Sequence, residues 1–168
     1  LHLTNAFLDN TDAALAEDLH DVFVNSNLTK LMKLHLEQNE IRSFRDHEVF
    51  CDLPNLRDLH LGDNRLTNLN FNLTCMKHLR FLDMEGNKIE SLTKRELNLM
   101  DRVNSMPGRD VNFVVDFKKN PFTCECGIAD FVAWIKHTSV TVRDKDKLRC
   151  VRPNLSAGGS LLKLKANP

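Results

Sequence analysis

One spelling recurs along this chain and restricts its fold more than any other feature. The pattern L-x-x-L-x-L-x-x-N-x-L is filled by Leu31, Leu34, Leu36, Asn39 and Ile41. It returns at Leu56, Leu59, Leu61, Asn64 and Leu66, and again at Leu79, Leu82, Met84, Asn87 and Ile89. A degraded copy follows at Val115, Phe117, Asn120 and Phe122. A truncated one opens the chain at Leu1, Leu3 and Leu8, with Ala6 in the asparagine slot. Each x-Leu-x-Leu-x stretch reads as a short strand with its leucines pointing inward and the intervening residues outward. One turn cannot bury its own leucines, so successive turns must stack and share a core.

This is the leucine-rich repeat pattern. It predicts an α/β solenoid with a concave parallel sheet, with repeats over residues 1–119. The asparagines Asn39, Asn64, Asn87 and Asn120 are expected to reach backbone groups of a neighbouring turn that would otherwise be buried and unpaired. The spacing is uneven. Leu34 to Leu59 is 25 residues and Leu59 to Leu82 is 23, whereas Leu1 to Leu34 and Leu82 to Val115 are each 33. The long intervals hold "DNTDAALAEDLHDVF" and "TKRELNLMDRVNSMPGRD". Both read as convex-side helices, the second ended by Pro107-Gly108. They are read as length variation between repeats, a partner-binding role being the alternative.

A solenoid exposes the core of its last turn and needs a cap. After Asn120-Pro121 the pattern changes. Ile128, Phe131, Val132 and Ile135 fall on one face of a helix, with Lys136 and His137 in its last turn. Residues 120–168 therefore read as a helical, cysteine-bearing C-terminal cap. Cys124 and Cys126 anchor the start of the helix, and Cys150 ties back the following segment. A zinc site usually has C-x₂₋₄-C spacing and four ligands, which this set lacks, so disulfides are expected. Pairing Cys124 with Cys150 places the partner of Cys126 beyond residue 168. Cys51 and Cys75 each precede the strand of their own repeat, by five residues to Leu56 and four to Leu79. On turns stacked about 5 Å apart they come within bridging range. A Cys51–Cys75 disulfide is the expectation, with two buried thiols as the alternative.

Disulfides imply an oxidising compartment. Three Asn-x-Ser/Thr sequons, at Asn27, Asn72 and Asn154, agree with secretion or the cell surface. No apolar run approaches the roughly 18–20 residues that span a bilayer, and no signal peptide leads the chain. If the protein is secreted or membrane-anchored, the segments that direct or anchor it lie outside these residues. Net charge is zero but polarised: residues 1–117 carry 13 Lys/Arg against 19 Asp/Glu, and residues 118–168 carry 10 against 4. That asymmetry can steer an anionic partner toward the C-terminal end.

The cap string "NPFTCECGIADFVAWIKHTSVTVRDKDKLRCVRP" resembles the corresponding cap of the trophoblast glycoprotein family. The matching features are Asn120-Pro121, Cys124-x-Cys126, Ala129-Asp130, Trp134, Lys136, Thr138, Val140, Lys145-Asp146-Lys147-Leu148 and Cys150. "NLTCMKHLRFLDMEGNKIESL" is similar to that family's penultimate repeat. The resemblance covers residues 72–153; before that it is generic to leucine-rich repeats. It implies a single-pass cell-surface glycoprotein that restrains Wnt/β-catenin signalling and affects adhesion and motility. The family also has an N-terminal cysteine cap, further repeats and a transmembrane helix, which these residues do not include. This chain has no tyrosine, so no partner surface built on tyrosine carries over. An adhesion or guidance receptor without a Wnt role is the rival of the same architecture.

No catalytic signature is present: no G-x-S-x-G elbow, H-E-x-x-H helix, P-loop or Rossmann glycine string. The chain reads as a non-enzymatic binding module, and no cofactor or metal is expected. One row deserves comparison with an enzyme reading. The residue between the inward strand positions is His2, His35, His60, Asp83 and Asp116 in successive turns, with Glu37, Asp58 and Glu85 alongside. Neighbouring rungs lie within reach of a shared metal ion, and a metal-dependent enzyme is the rival from another class. Polar rows are, however, ordinary on a concave face. With Lys33 and Phe81 they are read as the surface for an extracellular protein ligand or Wnt-pathway co-receptor. Phe81, an aromatic among charges, is the candidate anchor. The second surface is the basic cluster Arg143, Lys145, Lys147, Arg149 and Arg152, which suits an anionic partner such as heparan sulfate. Nucleic acid is not expected, given the compartment and the neutral net charge.

Overall fold

The computed structural model describes residues 1–7, 12–152 and 158–164. Strands β1 (Lys33–His35), β2 (Asp58–His60), β3 (Phe81–Asp83) and β4 (Val114–Asp116) stack in parallel. The register follows the repeat: Leu34 pairs with Leu59, Leu59 with Leu82, and Leu82 with Val115. All four are fully buried, so the inward row forms one continuous apolar ladder. His2 joins this sheet by a single bridge to His35. Leu8 lies outside the described residues, as do the first three residues of the earlier insertion.

Two helices occupy the long intervals. Helix α1 (Asp12–Phe23) buries Leu15, Ala16, Leu19 and Phe23. Helix α2 (Lys94–Asn104) starts at a capping box, in which Thr93 accepts from the Glu96 amide and Glu96 reaches back to the Thr93 amide. It stops at Ser105, before Pro107-Gly108. On the convex side Phe44, Phe50 and Phe71 meet edge to face, with ring centroids 5.2–5.6 Å apart, and Phe23 packs on Phe50. Aromatic bulk thus fills the wide side of the turns, while leucines fill the narrow strand side.

The cap contributes more than a lid. Strand β5 (Phe122–Thr123) pairs in parallel with β7 (Cys150–Arg152), and Cys124–Cys150 locks them with Cα atoms 5.7 Å apart. Helix α3 (Ala129–His137) buries Phe131, Val132, Trp134 and Ile135, and Phe131 packs on Phe117 of the last repeat. Its Trp134 indole N–H donates to Asp101 of α2 at 3.0 Å. Strand β6 (Thr141–Val142) then pairs with β4 and extends the concave sheet by a fifth strand. The apolar face of α3 covers the open end of the last repeat, as the periodicity of residues 128–135 predicts. The cap segment also continues the sheet, with buried Val142 beside Val115 on the inward ladder.

Candidate functional site: the concave face

The asparagine row fixes the concave strands. Asn64 is buried; its Oδ1 accepts from the Asn39 and Ile41 amides of the preceding turn, both at 3.0 Å. Its Nδ2 donates back to Leu36 and to Leu61. Asn39 accepts from the Ala6 and Phe7 amides, Asn87 from Leu66 and Asn120 from Ile89. Each side chain satisfies groups of its own turn and of the one before it. That sets the outward residues at fixed heights.

On this frame the outward rungs line up as His35–His60–Asp83–Asp116 and Lys33–Asp58–Phe81–Val114. The three imidazoles of His2, His35 and His60 form a stack, with successive centroids 4.2 Å apart and planes within 10°. His35 Nδ1 lies 3.1 Å from Glu37 and His60 Nδ1 lies 3.6 Å from Asp83. Phe81 is half-buried between the His60 ring and the Arg143 guanidinium, which sits 4.4 Å over its centroid. Such a cation over an aromatic face is worth about 0.5–1 kcal/mol at exposed sites.

Two expected contact residues are placed differently. Asp58 is 7% exposed and Asp116 is 3% exposed. Asp58 is gripped by Arg80 through Nε at 3.0 Å and through a second nitrogen at 3.2 Å. That hydrogen bond holds the Arg80 guanidinium above its usual range. Asp116 accepts from the Lys118 amide, and burial raises its carboxyl above the ordinary aspartate value. Both carboxylates are buried beside basic side chains, Asp58 against Arg80 and Asp116 against Lys118.

The basic cluster is also rearranged. Asp144 accepts from Lys118 at 2.6 Å, which raises the lysine and lowers the aspartate. Arg143 covers Phe81, Arg149 donates to the Asp146 and Leu148 carbonyls, and Arg152 faces Glu90. Lys145 and Lys147 remain exposed in a 3-10 turn. The concave and basic surfaces, separate in the sequence, therefore meet at Phe81–Arg143. The fifth strand brings them together, and its two residues are too short a signal to read.

Among the remaining candidates, Cys51 and Cys75 are bonded, with Cα atoms 5.3 Å apart. Cys126 is an exposed thiol. Asn27 is exposed; Asn72 is half-buried and accepts from the Thr74 hydroxyl of its own sequon. Asn154 lies outside the described residues. A feature that sequence reading missed is a cavity of about 720 Å³ lined by Arg57, Lys77, His78, Arg80 and Arg109. The insertion after α2 forms one wall, and no spacing rule joins residues 57 and 109. No helix among the described residues is long and apolar enough to cross a membrane.

A short-stranded parallel sheet, an asparagine ladder and a bonded cap define a leucine-rich-repeat solenoid. The leucine rich repeat family model matches residues 1–66 and 29–89, and the chain belongs to that family. It is related to trophoblast glycoprotein: the Macaca fascicularis protein is 35% identical over 70% of this chain and 26% of its own length. Human Toll-like receptor 5 is 33% identical over 86% of this chain but 15% of the receptor. A solved structure of human trophoblast glycoprotein, also called Wnt-activated inhibitory factor 1, superposes with TM-score 0.77 at 28% identity. It covers 94% of this chain and 52% of that one. The chain thus spans only a part of the curated relatives it matches.

Proposed function

We propose that this chain is the ligand-binding part of an extracellular glycoprotein that is anchored to the plasma membrane and restrains Wnt/β-catenin signalling. It acts by binding a protein ligand or co-receptor on its concave face, without catalysis. The observation that carries this reading is the likeness to human Wnt-activated inhibitory factor 1 over almost the whole chain, cap included. The two disulfides support an oxidising compartment. The exposed sequon at Asn27 supports glycan attachment.

The concave face suits this role physically. The strands fix its side chains, so little conformational entropy is lost on binding. Phe81 supplies an apolar anchor inside a charged surround. A β-catenin reporter assay on cells expressing the full-length protein tests the signalling reading; a lowered response to Wnt is expected. An unchanged response, with the protein at the surface, would leave an adhesion or guidance receptor as the better description. Heparan sulfate is a secondary partner in this proposal, held by Lys145 and Lys147, and its binding should weaken steeply as salt rises.

A further inference from the structure

We propose that His35, His60 and Glu37 form a binding site for a divalent transition-metal ion, zinc being the best fit, on the concave face. One ligand atom from each of the three residues lies within 4.8 Å of the others. Tetrahedral zinc with bonds of about 2.1 Å needs its donors about 3.4 Å apart. Closing the site on an ion requires side-chain rotation that draws the donors together and turns one imidazole out of the His35–His60 stack. Two imidazoles and a carboxylate are the donor set that zinc takes in preference to calcium or magnesium.

The strands preorganise this set. His35 and His60 are register partners on β1 and β2, which sets their side chains next to each other; their rings stack at 4.2 Å and 7°, and one imidazole turns out of this stack so that both in-plane lone pairs meet one ion. Their side chains are only 21% and 22% exposed, so much of their rotamer freedom is already lost. Supporting carboxylates and hydroxyls are in place. Glu37 accepts a hydrogen bond from the Thr4 hydroxyl at 3.2 Å, and Asp83 stands 3.6 Å from His60 Nδ1. A carboxylate beside a ligating histidine fixes its orientation and strengthens it as a donor. His2, stacked on the other face of His35, offers a further imidazole.

The charge pattern makes the same point independently. Of the concave carboxylates, Asp58 pairs with Arg80, Asp116 with Lys118 and Glu85 with Lys119. Among the described residues, Glu37 and Asp83 have no lysine or arginine partner. These are the two carboxylates that face histidines. Their charge is met only by imidazoles and hydrogen bonds, which leaves it free to be neutralised by a bound ion. The neighbouring acidic set of Asp83, Glu85 and Asp116 differs, since lysines already serve two of its members.

Metal uptake by the isolated chain needs no partner, so its test is separate from that of the protein-binding reading. Untagged protein, free of polyhistidine, is titrated with Zn²⁺ by calorimetry and with Co²⁺ by visible absorption. The expected result is one ion per chain, with the intense ligand-field bands of low-coordinate cobalt. In His35→Ala/His60→Ala, affinity should fall by more than about 100-fold. His60→Gln, which keeps size and polarity, should weaken binding about tenfold or more if the double variant fails to fold. His47→Ala, which alters an exposed histidine paired with Asp46, should bind as the wild type does. No uptake by the wild type, or equal uptake by the His35 and His60 variants, overturns the proposal.

Discussion

Asn64 shows how much one side chain can organise. Its carboxamide meets two amides and three carbonyls, all in the interior. Asn64→Ala leaves the Asn39 and Ile41 amides buried and unpaired, so unfolding free energy should drop by roughly 1–3 kcal/mol. Urea denaturation measures this, and a change within noise would refute the ladder's structural role. Gly86 is constrained differently. It sits at φ +72°, and a Cβ there would collide with the Asp63 carboxylate. Gly86→Ala should therefore cost roughly 1–3 kcal/mol. Asp116 bears on pH. Its folded-state carboxyl is raised by burial, so the native state binds its proton more tightly than the unfolded chain does. Stability from this group is present at low pH and is lost as pH rises through the interval above the unfolded aspartate value. Asp116→Asn keeps an acceptor for the Lys118 amide and should be more stable than wild type at neutral pH. Thermal melts across pH should show that advantage shrinking on acidification; a constant offset would contradict it.

At the scale of elements, the Cys51–Cys75 bridge joins adjacent turns across 24 residues of sequence. Replacing both cysteines with alanine should cost about 2–4 kcal/mol. Non-reducing peptide mapping should recover the two segments as one linked species. Helices α2 and α3 meet through Asp101, which accepts from both the Trp134 indole and the Thr138 hydroxyl. Asp101→Ala should loosen the cap by roughly 1–3 kcal/mol. Trp134 is the only tryptophan, so its fluorescence should shift to the red in that variant. The repeats, the apolar face of α3 and the four asparagines were legible because each repeats at a fixed interval or has a periodic face. Strand β6 was not, since two residues following a helix carry no periodic signal. For the same reason the burial of Asp58 and Asp116 escaped sequence reading. Alternation gives the direction in which a side chain points, but not whether Arg80 or Lys118 will lie over it.

For the whole molecule, the cap and the repeats form one continuous sheet. The concave face therefore runs from His2 to Arg143 without a break in backbone pairing. Its centre is the stacked histidines and Phe81; its C-terminal edge carries Lys145 and Lys147. The proposed protein partner at the centre and the proposed polyanion at the edge are separable by mutation, because the two lysines are exposed and form no ion pair among the described residues. The most direct measurement of the proposed function is surface binding of this chain to a Wnt-pathway ligand or co-receptor. It compares wild type with Phe81→Ala and with Lys145→Glu/Lys147→Glu. The account predicts that Phe81→Ala weakens the protein partner about tenfold or more, while the lysine reversals affect chiefly salt-sensitive binding to heparin. Unchanged affinity of the protein partner for a folded Phe81→Ala variant would contradict the concave face as its site.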